Sequence, residues 1–434
     1  MSTPARFDRG HTDDLMTFLA ASPTPYHAVA NAAERLEKAG FRQVRETDAW
    51  EGTTGGKYVL RGGALIAWYV PEGAAPHTPF RIVGAHTDSP NLRVKPLPDT
   101  GAYGWRQVAV EVYGGPLLNT WLDRDLGLAG RLSLRDGKHR LINVDRPLMR
   151  VPQLAVHLDR GVNTDGLKLN PQRHMQPIWG LGEAEEGDLI RFVAEEAGLD
   201  AADVTGWDLM AHSVEPPAYL GRDRELMAGP RMDNLLSVHA GTAALAAVAG
   251  SAGSGTALPY IPVLAAFDHE ESGSQSDTGA DGPLLGTVME RSVLARGGSY
   301  EDRARALAGT VCLSSDTGHA VHPNYAERHD PTHHPRANGG PILKVNVNMR
   351  YATDGGGRAV FAAACERAGV PWQTFVSNNS MPCGTTIGPI TAARHGIKTV
   401  DIGAAIVSMH SARELCGADD PFLLANALAA FLES

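Results

Sequence analysis

The sequence predicts an α/β fold interrupted by a β-rich insert, and three features of the chain indicate it. Two apolar runs near the N-terminus, "GALIAWYV" and "FRIVGAHTD", are typical of buried strands. Beyond about Arg93, stretches such as "WRQVAVEVYGG" alternate between apolar and polar residues, as antiparallel strands do. Toward the C-terminus, apolar runs again alternate with helical patterns, which is typical of an α/β domain.

The elements follow in chain order. The stretches "DDLMTFLAAS" and "HAVANAAERLEKAGF" have apolar residues at helical spacing, and Gly40 ends the second helix. Within the insert, "RDGK" predicts a hairpin turn. The later elements are the helix "NLLSVHAGTAALAAVAG", the strands "LPYIPVLAAF", "PILKVNVNMRYAT" and "IKTVDIGAAI", and the helices "GRAVFAAACERAG" and "PFLLANALAAFLES". The stretches "GSAGSGTAL" and "ARGGSYEDRARALAGT" are predicted to be mobile loops.

These elements predict one α/β domain made of residues 1–92 and 232–434, with residues 93–231 inserted into it. An insertion of this size is tolerated where the chain leaves and re-enters a domain at neighbouring surface loops.

Composition excludes several classes of function. The 434 residues are 43% hydrophobic and 20% charged, which is ordinary for a folded protein. A net charge of −10 argues against binding to nucleic acid or to an anionic membrane, since either would need a basic face. No signal core and no run of about 18 apolar residues is evident. Four widely spaced cysteines form no disulfide framework, so we expect a cytoplasmic protein.

The stretch "FDHEESG" ends a buried strand with two adjacent carboxylates, Glu270 and Glu271. Strand ends are where catalytic groups collect in α/β sheets. Because adjacent carboxylates repel each other, a site that keeps both usually binds a cation or makes one of them a proton carrier. The alternative is a solvated turn.

Four other stretches place metal-binding side chains at the ends of predicted elements. Each is weak evidence alone, but five such places in one domain predict a two-metal site for Zn²⁺, with Co²⁺ or Mn²⁺ as alternatives. Asp88 is predicted to hold the second ring nitrogen of His86. Glu270, left over beside Glu271, is predicted to move the proton of the attacking water. The four stretches are "GAHTDSP" with His86 and Asp88, "RMDN" with Asp233, "SSDTGHAVHPNY" with Asp316, His319 and His322, and "SMHSARE" with His410.

Nine ordered stretches make the chain resemble the aspartyl aminopeptidase family of the dizinc exopeptidase superfamily. They are "FLAASPTPYHAV", "GAHTDSPNLRVKP", "RPLMRVPQLAVHLDR", "RMDN", "FDHEESGSQS", "DTGHAVHPNY", "GPILKVNVNMRYAT", "MPCGTTIGPI" and "MHSARE". The resemblance implies a mixed-sheet dizinc exopeptidase domain with an inserted β-rich dimerisation domain. It also implies a homo-oligomer, a dimer at least and a tetrahedral dodecamer in the family, that acts on peptide substrates.

The resemblance also implies roles for individual residues. His86 and Asp316 would bind one zinc, Glu271 and His410 the other, and Asp233 would bridge the two. Glu270 would be the general acid and base. The peptide bond between Asp233 and Asn234 would be cis.

The resemblance also implies that two further residues, Lys344 and Tyr351, select the substrate. Lys344 in "GPILKVNV" is predicted to pair with the acidic side chain of the substrate's first residue, helped by Tyr351. A lysine in an apolar strand is otherwise explained as an edge-strand lysine whose ammonium reaches water. Aminopeptidases of broad or neutral specificity, which differ only in this pocket, therefore stay open as an alternative.

His157 in "VPQLAVHLDR" is predicted to complete the active site of a neighbouring subunit. The peptidase domain lacks an evident donor for the oxyanion of the reaction, and an imidazole N–H can supply one. Without this role, His157 would be a half-buried histidine in a sheet. A catalytically silent scaffold is the third alternative, and it would not need Glu270.

Overall fold

The computed structural model describes residues 9–50 and 54–434, so the first eight residues of the predicted peptidase domain lie outside the described part. The chain divides into two compact units. The larger unit takes in the described residues of Met1–Asp88, Pro217–Met409 and Glu414–Ser434. The second unit is Ser89–Pro216 together with His410–Arg413.

The larger unit contains a nine-stranded sheet in the order β1-β2-β3-β13-β4-β14-β18-β16-β17 and a five-stranded sheet in the order β11-β12-β20-β19-β15. Its strands are β1 (Arg42–Gln43), β2 (Gly55–Arg61), β3 (Ala64–Val70), β4 (Phe80–His86), β11 (Ala218–Leu220), β12 (Leu226–Gly229), β13 (Ile261–Phe267), β14 (Val311–Ser315), β15 (Gly318–His319), β16 (Ile342–Val345), β17 (Gln373–Val376), β18 (Lys398–Gly403), β19 (Ala405–Val407) and β20 (Glu414–Gly417).

The helices of the larger unit cover both faces of its nine-stranded sheet. They are α1 (Arg9–Ala21), α2 (Pro25–Lys38), α5 (Met232–Gly253), α6 (Leu284–Ala295), α7 (Tyr300–Ala308), α8 (Gly355–Ala368), α9 (Ile387–His395) and α10 (Asp420–Leu432). One hydrophobic core joins α1, α2, α5, α8 and α10 to one face of the sheet, and a second joins α6, α7 and α9 to the other. The result is a layered α/β/α arrangement.

Four central strands of this sheet, β13, β4, β14 and β18, run parallel to one another. Strands β4, β13 and β14 are buried along their whole length, as expected of parallel strands covered by helices on both faces. The near-continuous apolar runs in their sequences reflect this double coverage. Because they are parallel, their carboxyl ends lie at one edge of the sheet.

The second unit contains a six-stranded antiparallel sheet in the order β8-β7-β10-β5-β6-β9. The predicted "RDGK" turn joins β7 to β8, with Gly137 at the positive φ of 81° that the turn requires. Its elements are β5 (Asn91–Ala102), β6 (Trp105–Tyr113), β7 (Leu126–Leu134), β8 (His139–Met149), α3 (Pro171–His174), β9 (Ile178–Leu181), α4 (Asp188–Glu196) and β10 (Val204–Ser213).

The second boundary of the insert lies earlier in the chain than residue 231. Strands β11 and β12 pair with each other, and β12 pairs with β20, so this stretch joins the five-stranded sheet of the larger unit. The strands are only three and four residues long, so their sequence alone does not assign them to either unit, and the pairing partner does.

Two other elements differ from the sequence-based expectation. The predicted loop "ARGGSYEDRARALAGT" contains α7, which begins with a capping box between Ser299 and Asp302. The predicted strand "PILKVNVNMRYAT" ends at Val345, and a turn follows it. Helix α5 is long and apolar enough to cross a membrane by composition, but 67% of its most apolar stretch is buried within the fold, as in a core helix.

Candidate metal centre and active site

The predicted metal ligands of the larger unit collect at the carboxyl edge of its parallel strands. Strand β4 ends at His86, and β14 ends one residue before Asp316. Strand β13 ends at Phe267, which pairs with His86, and the turn that carries Glu270 and Glu271 follows. Parallel strands therefore bring together side chains that are about 230 residues apart in sequence.

His86 lies at the centre of this cluster. Its Nε2 atom is 3.3 Å from Oδ1 of Asp233, 3.5 Å from Oδ1 of Asp316 and 4.0 Å from Oε2 of Glu270. The ligand atoms of His86, Asp233 and Asp316 lie within 4.8 Å of one another, and those of His86, Glu270 and Glu271 do so as well. Four carboxylates and one imidazole thus converge on one small volume.

Asp88 contacts both His86 and the turn that carries the glutamate pair. The ring nitrogen Nδ1 of His86 lies 2.9 Å from the backbone carbonyl oxygen of Asp88, and its carboxylate is farther away at 3.4 Å. The carboxylate also accepts hydrogen bonds from the backbone N–H groups of Glu270 and Glu271, each at 3.0 Å. Asp88 therefore fixes the tautomer of His86 through its backbone and the turn of the glutamate pair through its side chain.

Asp233 lies at the start of α5, and hydrogen bonds of Arg231 and of its own backbone fix its position. Arg231 has the left-handed φ of 57° and donates hydrogen bonds to the carbonyls of Leu19 and Ser22. The Asp233–Asn234 peptide bond is cis, as the resemblance implied. The backbone N–H of Asp233 donates to Oε2 of Glu414 at 2.9 Å, and Glu414 is 1% exposed.

Lys344 is fully buried in β16, between β18 and β17, and this rules out the edge-strand explanation. Its ammonium donates a hydrogen bond of 2.7 Å to the carbonyl of Thr317 and lies 3.6 Å from Oδ2 of Asp316. It also lies 5.4 Å from the ring centroid of Tyr351, which is itself buried. The predicted specificity lysine is therefore also an ion-pair partner of a predicted metal ligand.

The carboxylates of the glutamate pair are hard to ionise in this environment. Burial raises the pKa of Glu270 to about 8; the charge of His86 opposes the rise and that of Asp316 adds to it. Burial and the neighbouring Asp233 raise the pKa of Glu271 well above its usual range. A cation at this position would favour both ionised forms, since an opposite charge within a few ångströms stabilises a carboxylate.

In contrast to the glutamate pair, His86 and Asp316 have pKa values that favour their charged forms. Burial acts to lower the pKa of His86, but hydrogen bonds to Asp233, Asp316 and Asp88 raise it well above 6.5. Burial acts to raise the pKa of Asp316, yet Lys344 and the hydrogen bond from His86 hold it well below its usual range. A histidine binds a metal ion only in its neutral form. Binding of an ion here therefore requires that His86 lose its extra proton.

The donor set fits zinc. Zn²⁺ favours imidazole nitrogen and carboxylate oxygen, and two ions can share a carboxylate. The cluster offers both donor types, and Asp88 and Glu414 hold the backbone of the donors by hydrogen bonds. Hydrogen bonds of this kind orient ligands in metal sites.

Two further predicted site residues, His410 and His157, belong to the second unit. His410 has the left-handed φ of 65°, and its Nδ1 atom lies 3.1 Å from the carbonyl oxygen of Gly115. Its own carbonyl accepts a hydrogen bond from the N–H of Leu117. His410 is thus fixed in orientation by its own unit, and its metal role stays a prediction.

His157 lies in an exposed turn, and this corrects the alternative of a half-buried histidine in a sheet. The turn also exposes three apolar side chains: Leu154 is 58% exposed, Val156 50% and Leu158 75%. Exposed apolar side chains grouped in one loop are typical of a surface that another protein covers.

A family model described as "Aminopeptidase I zinc metalloprotease (M18)" matches residues 18–432. The chain belongs to the M18 family. Members of the M18 family are zinc metalloproteases, and this chain is a zinc-dependent aminopeptidase. The family resemblance predicted from the nine sequence stretches is confirmed.

Similar M18 proteins cover the whole chain. A protein of Streptomyces coelicolor named "Probable M18 family aminopeptidase 2" is 84% identical over 434 residues and covers 100% of both chains. A protein of the same name from Mycobacterium bovis is 51% identical over 428 residues and covers 97% of each.

Solved structures confirm the predicted mixed-sheet fold. The chain is similar to that in a cryo-EM structure of the Ape4 and Nbr1 complex, with a TM-score of 0.93 and 33% identity, covering 100% of this chain and 88% of that one. It is also similar to the chain of the S. cerevisiae mApe1 dodecamer, with a TM-score of 0.85 and 28% identity, covering 98% and 96%.

Proposed function

We propose that this M18 aminopeptidase releases N-terminal aspartate and glutamate from peptides and uses two zinc ions per chain. One observation supports the proposal most strongly. His86, Asp233 and Asp316 converge beside the glutamate pair, and the buried ammonium of Lys344 lies 3.6 Å from Asp316. Metal ligands and a buried positive charge are thus next to each other.

The proposed ligand assignment follows the geometry of the cluster and the family resemblance. His86 and Asp316 would hold one ion, with Asp233 shared between the ions. Glu271 and His410 would complete the second. The short distances from His86 to both aspartates support the first half of this assignment.

Glu270 is proposed to be the residue that moves protons. Bound zinc would act as a Lewis acid toward the peptide carbonyl and lower the pKa of water at the site. Glu270 would accept the proton of the attacking water and donate it to the leaving amine. The Asp88 carboxylate accepts hydrogen bonds from the backbone N–H groups of Glu270 and Glu271. These bonds fix the backbone of the pair, so Glu270 keeps its place beside the ligands.

Selection of acidic residues is proposed to come from Lys344. A buried ammonium can recognise a carboxylate strongly, because both charges are shielded from water. Tyr351 lies against it and would contribute one wall of the pocket for the first side chain.

One observation favours the alternative of broad or neutral specificity. Lys344 already donates to the carbonyl of Thr317 and pairs with Asp316. Its charge could therefore serve only to keep Asp316 ionised for metal binding, in which case the first side chain of the substrate would not need a negative charge.

We also propose that the protein works as a homo-oligomer in which His157 reaches the site of a neighbouring subunit. The exposed apolar side chains around His157 support this, because they need a covering partner. The dodecamer formed by mApe1 of S. cerevisiae supports a dodecamer for this chain. The cytoplasmic location stays a prediction from the sequence.

The deciding experiment is hydrolysis of Asp-, Glu- and Leu-p-nitroanilide by the purified protein, with and without a chelator. We expect faster cleavage of the two acidic substrates and loss of all activity with chelator. Equal rates on all three would favour broad specificity, and activity that survives complete removal of metal would refute the zinc mechanism. Zinc content of the active protein well below one ion per chain would refute the two-metal site.

A further inference from the structure

Asp401 is a buried carboxylate beside the candidate site that the proposed mechanism does not use. It lies in β18 and is 0% exposed. Strand β18 pairs antiparallel with β16, with Ile342 opposite Gly403 and Leu343 opposite Ile402. Continuing this register by one residue puts Asp401 opposite Lys344, so the two side chains share a face of the sheet.

The carboxylate of Asp401 joins two separate segments of the chain. Its Oδ2 atom accepts a hydrogen bond of 2.6 Å from the backbone N–H of Ala352. Its Oδ1 atom accepts one of 2.5 Å from the hydroxyl of Thr386. The backbone N–H of Asp401 also donates to the hydroxyl of Thr353 at 2.9 Å. One buried side chain therefore fixes both the segment after β16 and the segment before α9.

The start of α9 is shaped to receive this carboxylate. Thr386 is the N-cap residue of α9, and Gly388 lies two positions later. A Cβ atom at Gly388 would lie 2.4 Å from both carboxylate oxygens of Asp401, which no side chain can tolerate. Glycine at this position lets the carboxylate approach the positive end of the helix, where a negative charge is favoured.

The two segments that Asp401 joins also touch each other next to Lys344. The side chain of Arg350 donates to the carbonyl of Cys383, and the hydroxyl of Thr385 donates to the carbonyl of Arg350. Burial and a hydrogen bond to the Cys383 side chain raise the pKa of the Tyr351 hydroxyl. Tyr351 and Cys383 thus form one wall, and Tyr351 is the part of it that lies against the Lys344 ammonium.

We infer that Asp401 is a positioning residue for substrate selection, because it fixes the wall formed by Tyr351 and Cys383 against Lys344. The inference rests on the proposed function, in which this wall contacts the first side chain of the peptide. Asp401 itself would touch neither substrate nor metal. Its loss would change which first residue is preferred more than it changes the rate of the chemical step.

Charge supports the same role. Burial raises the pKa of Asp401, while the hydrogen bond from Thr386 and the charge of Lys344 act to lower it. The ammonium of Lys344 is thus flanked by Asp316 on the metal side and by Asp401 on the wall side. Removing Asp401 would loosen the wall and also alter the charge around Lys344.

Thr386→Val keeps the carboxylate of Asp401 but removes two hydrogen bonds of the hydroxyl, the one it donates to Asp401 and the one it accepts from the N–H of Gly388 at 3.2 Å. Thr386→Ser retains the hydroxyl and should behave as wild type. Thr391→Val is the matched control. Thr391 is another buried threonine, 1% exposed, and its hydroxyl has no hydrogen-bond partner within the described part of the chain. We would measure kcat and KM of the holoenzyme on Asp-, Glu-, Leu- and Ala-p-nitroanilide.

The expected result for Thr386→Val is a change of about 3- to 10-fold in the ratios of kcat/KM among the four substrates, carried mainly by KM, as loss of the hydrogen bond to Asp401 predicts. Thr391→Val should leave the ratios unchanged. Unchanged ratios in Thr386→Val, or equal changes in both variants, would overturn the inference. The ratios are informative whichever substrate the wild type prefers. A wild type without preference for Asp and Glu would refute acidic selectivity but not the role of Asp401.

A second measurement does not depend on activity. Asp401→Ala removes both acceptors, whereas the amide of Asp401→Asn can still accept from Ala352 and donate to Thr386. Backbone hydrogen exchange of peptides covering 349–353 and 384–388 should speed up at least tenfold in Asp401→Ala and less in Asp401→Asn. Peptides from α2 would serve as the internal control. Exchange that is unchanged in both variants would overturn the inference, as would equal acceleration over the whole chain.

Discussion

In the larger unit the four central strands run parallel, whereas every strand pair of the six-stranded sheet in the second unit is antiparallel. Parallel strands end at one edge, so residues that follow β4, β13 and β14 meet there. Antiparallel neighbours end at opposite edges, and no single edge collects their ends. The candidate metal cluster is accordingly built mainly on strand ends in the larger unit, and His157 of the second unit lies in a turn.

The two regions also differ in the environment of their histidines. His86 is 1% exposed and is surrounded by carboxylates, whereas His157 is exposed among apolar side chains. A buried histidine with carboxylate neighbours already has its partners within the chain. An exposed histidine among Leu154, Val156 and Leu158 lies on a surface of the kind that a partner covers. Variants of Glu270, His157 and Lys344 test whether the carboxylate cluster around His86 carries the chemistry and whether the turn around His157 needs a partner.

The largest effect is expected from Glu270→Gln in the carboxylate cluster around His86. The amide cannot accept the proton of water, so turnover should fall by about two to four orders of magnitude while zinc content stays the same. Turnover would be measured on the best p-nitroanilide substrate, and zinc by elemental analysis.

Glu34→Gln, at an exposed position of α2, is the control and should behave as wild type. Near-normal turnover of Glu270→Gln would exclude Glu270 as the base. Loss of zinc in this variant would instead make Glu270 a metal ligand, which its proximity to His86 also permits.

The next effect is expected in the second unit. His157→Ala should lower turnover by about 10²- to 10³-fold, the usual effect of removing one oxyanion donor. If His157 serves a neighbouring subunit, mixing inactive His157→Ala chains with inactive Glu270→Gln chains should restore activity, because some sites then contain both residues.

His139→Ala is the matched control, since His139 is another exposed histidine of the same unit. Subunit exchange would be confirmed by native mass spectrometry of chains with different isotope labels. Hybrids that form but remain inactive would show that His157 acts within its own chain or only supports the fold.

The strand ends explain why so much of the site was predictable from the sequence. Each of His86, Glu271 and Asp316 follows an apolar run, and that local pattern marks the end of a buried strand. The α/β class was predictable for the same reason. The hairpin between β7 and β8 was predictable because its turn residues are specific.

Contacts between distant segments were not predictable, because no local pattern reports them. The sequence motif suggested that the Asp88 carboxylate holds His86, but it gave no sign that the same carboxylate accepts hydrogen bonds from the turn of the glutamate pair, 182 and 183 residues away. Glu414 was missed although it is buried against the backbone of Asp233. Because Glu414 follows Arg413 and begins a short strand, its sequence predicts a surface position, and only its buried partner shows otherwise.

Lys344→Leu tests whether the larger unit also selects the substrate. Loss of a charged hydrogen-bond partner predicts that kcat/KM for Asp-p-nitroanilide falls about 10- to 100-fold more than for Leu-p-nitroanilide. Lys57→Leu is the matched control, because Lys57 is a buried lysine in β2 of the same sheet, 4% exposed. Equal losses on both substrates, accompanied by loss of zinc, would show that Lys344 only supports Asp316.

The smallest effect separates burial from metal binding within the larger unit. Asp420 is 1% exposed and accepts hydrogen bonds from the backbone N–H groups of Asn338 and Gly340, at 2.8 Å and 3.1 Å. Burial raises its pKa from 3.8 to about 7, although these hydrogen bonds oppose the shift. Unlike the carboxylates around His86, Asp420 belongs to none of the groups that could hold a metal among the described residues.

The folded protein therefore holds the Asp420 proton more tightly than the unfolded chain does. The stability that this proton contributes is complete below about pH 4, is lost as the pH rises to about 7, and changes no further above that. Relative to Asp420→Asn, wild type should lose up to about 1.4 kcal/mol of unfolding free energy for each unit by which the pKa is raised.

Urea unfolding between pH 4 and 8 would measure this loss, with the exposed Asp277→Asn as control. The difference should be the same with zinc and with chelator, because Asp420 is buried without a metal. A difference that appears only after metal removal would show that Asp420 is coupled to the metal centre, and a difference independent of pH would show that its carboxyl titrates alike in the folded and unfolded chain.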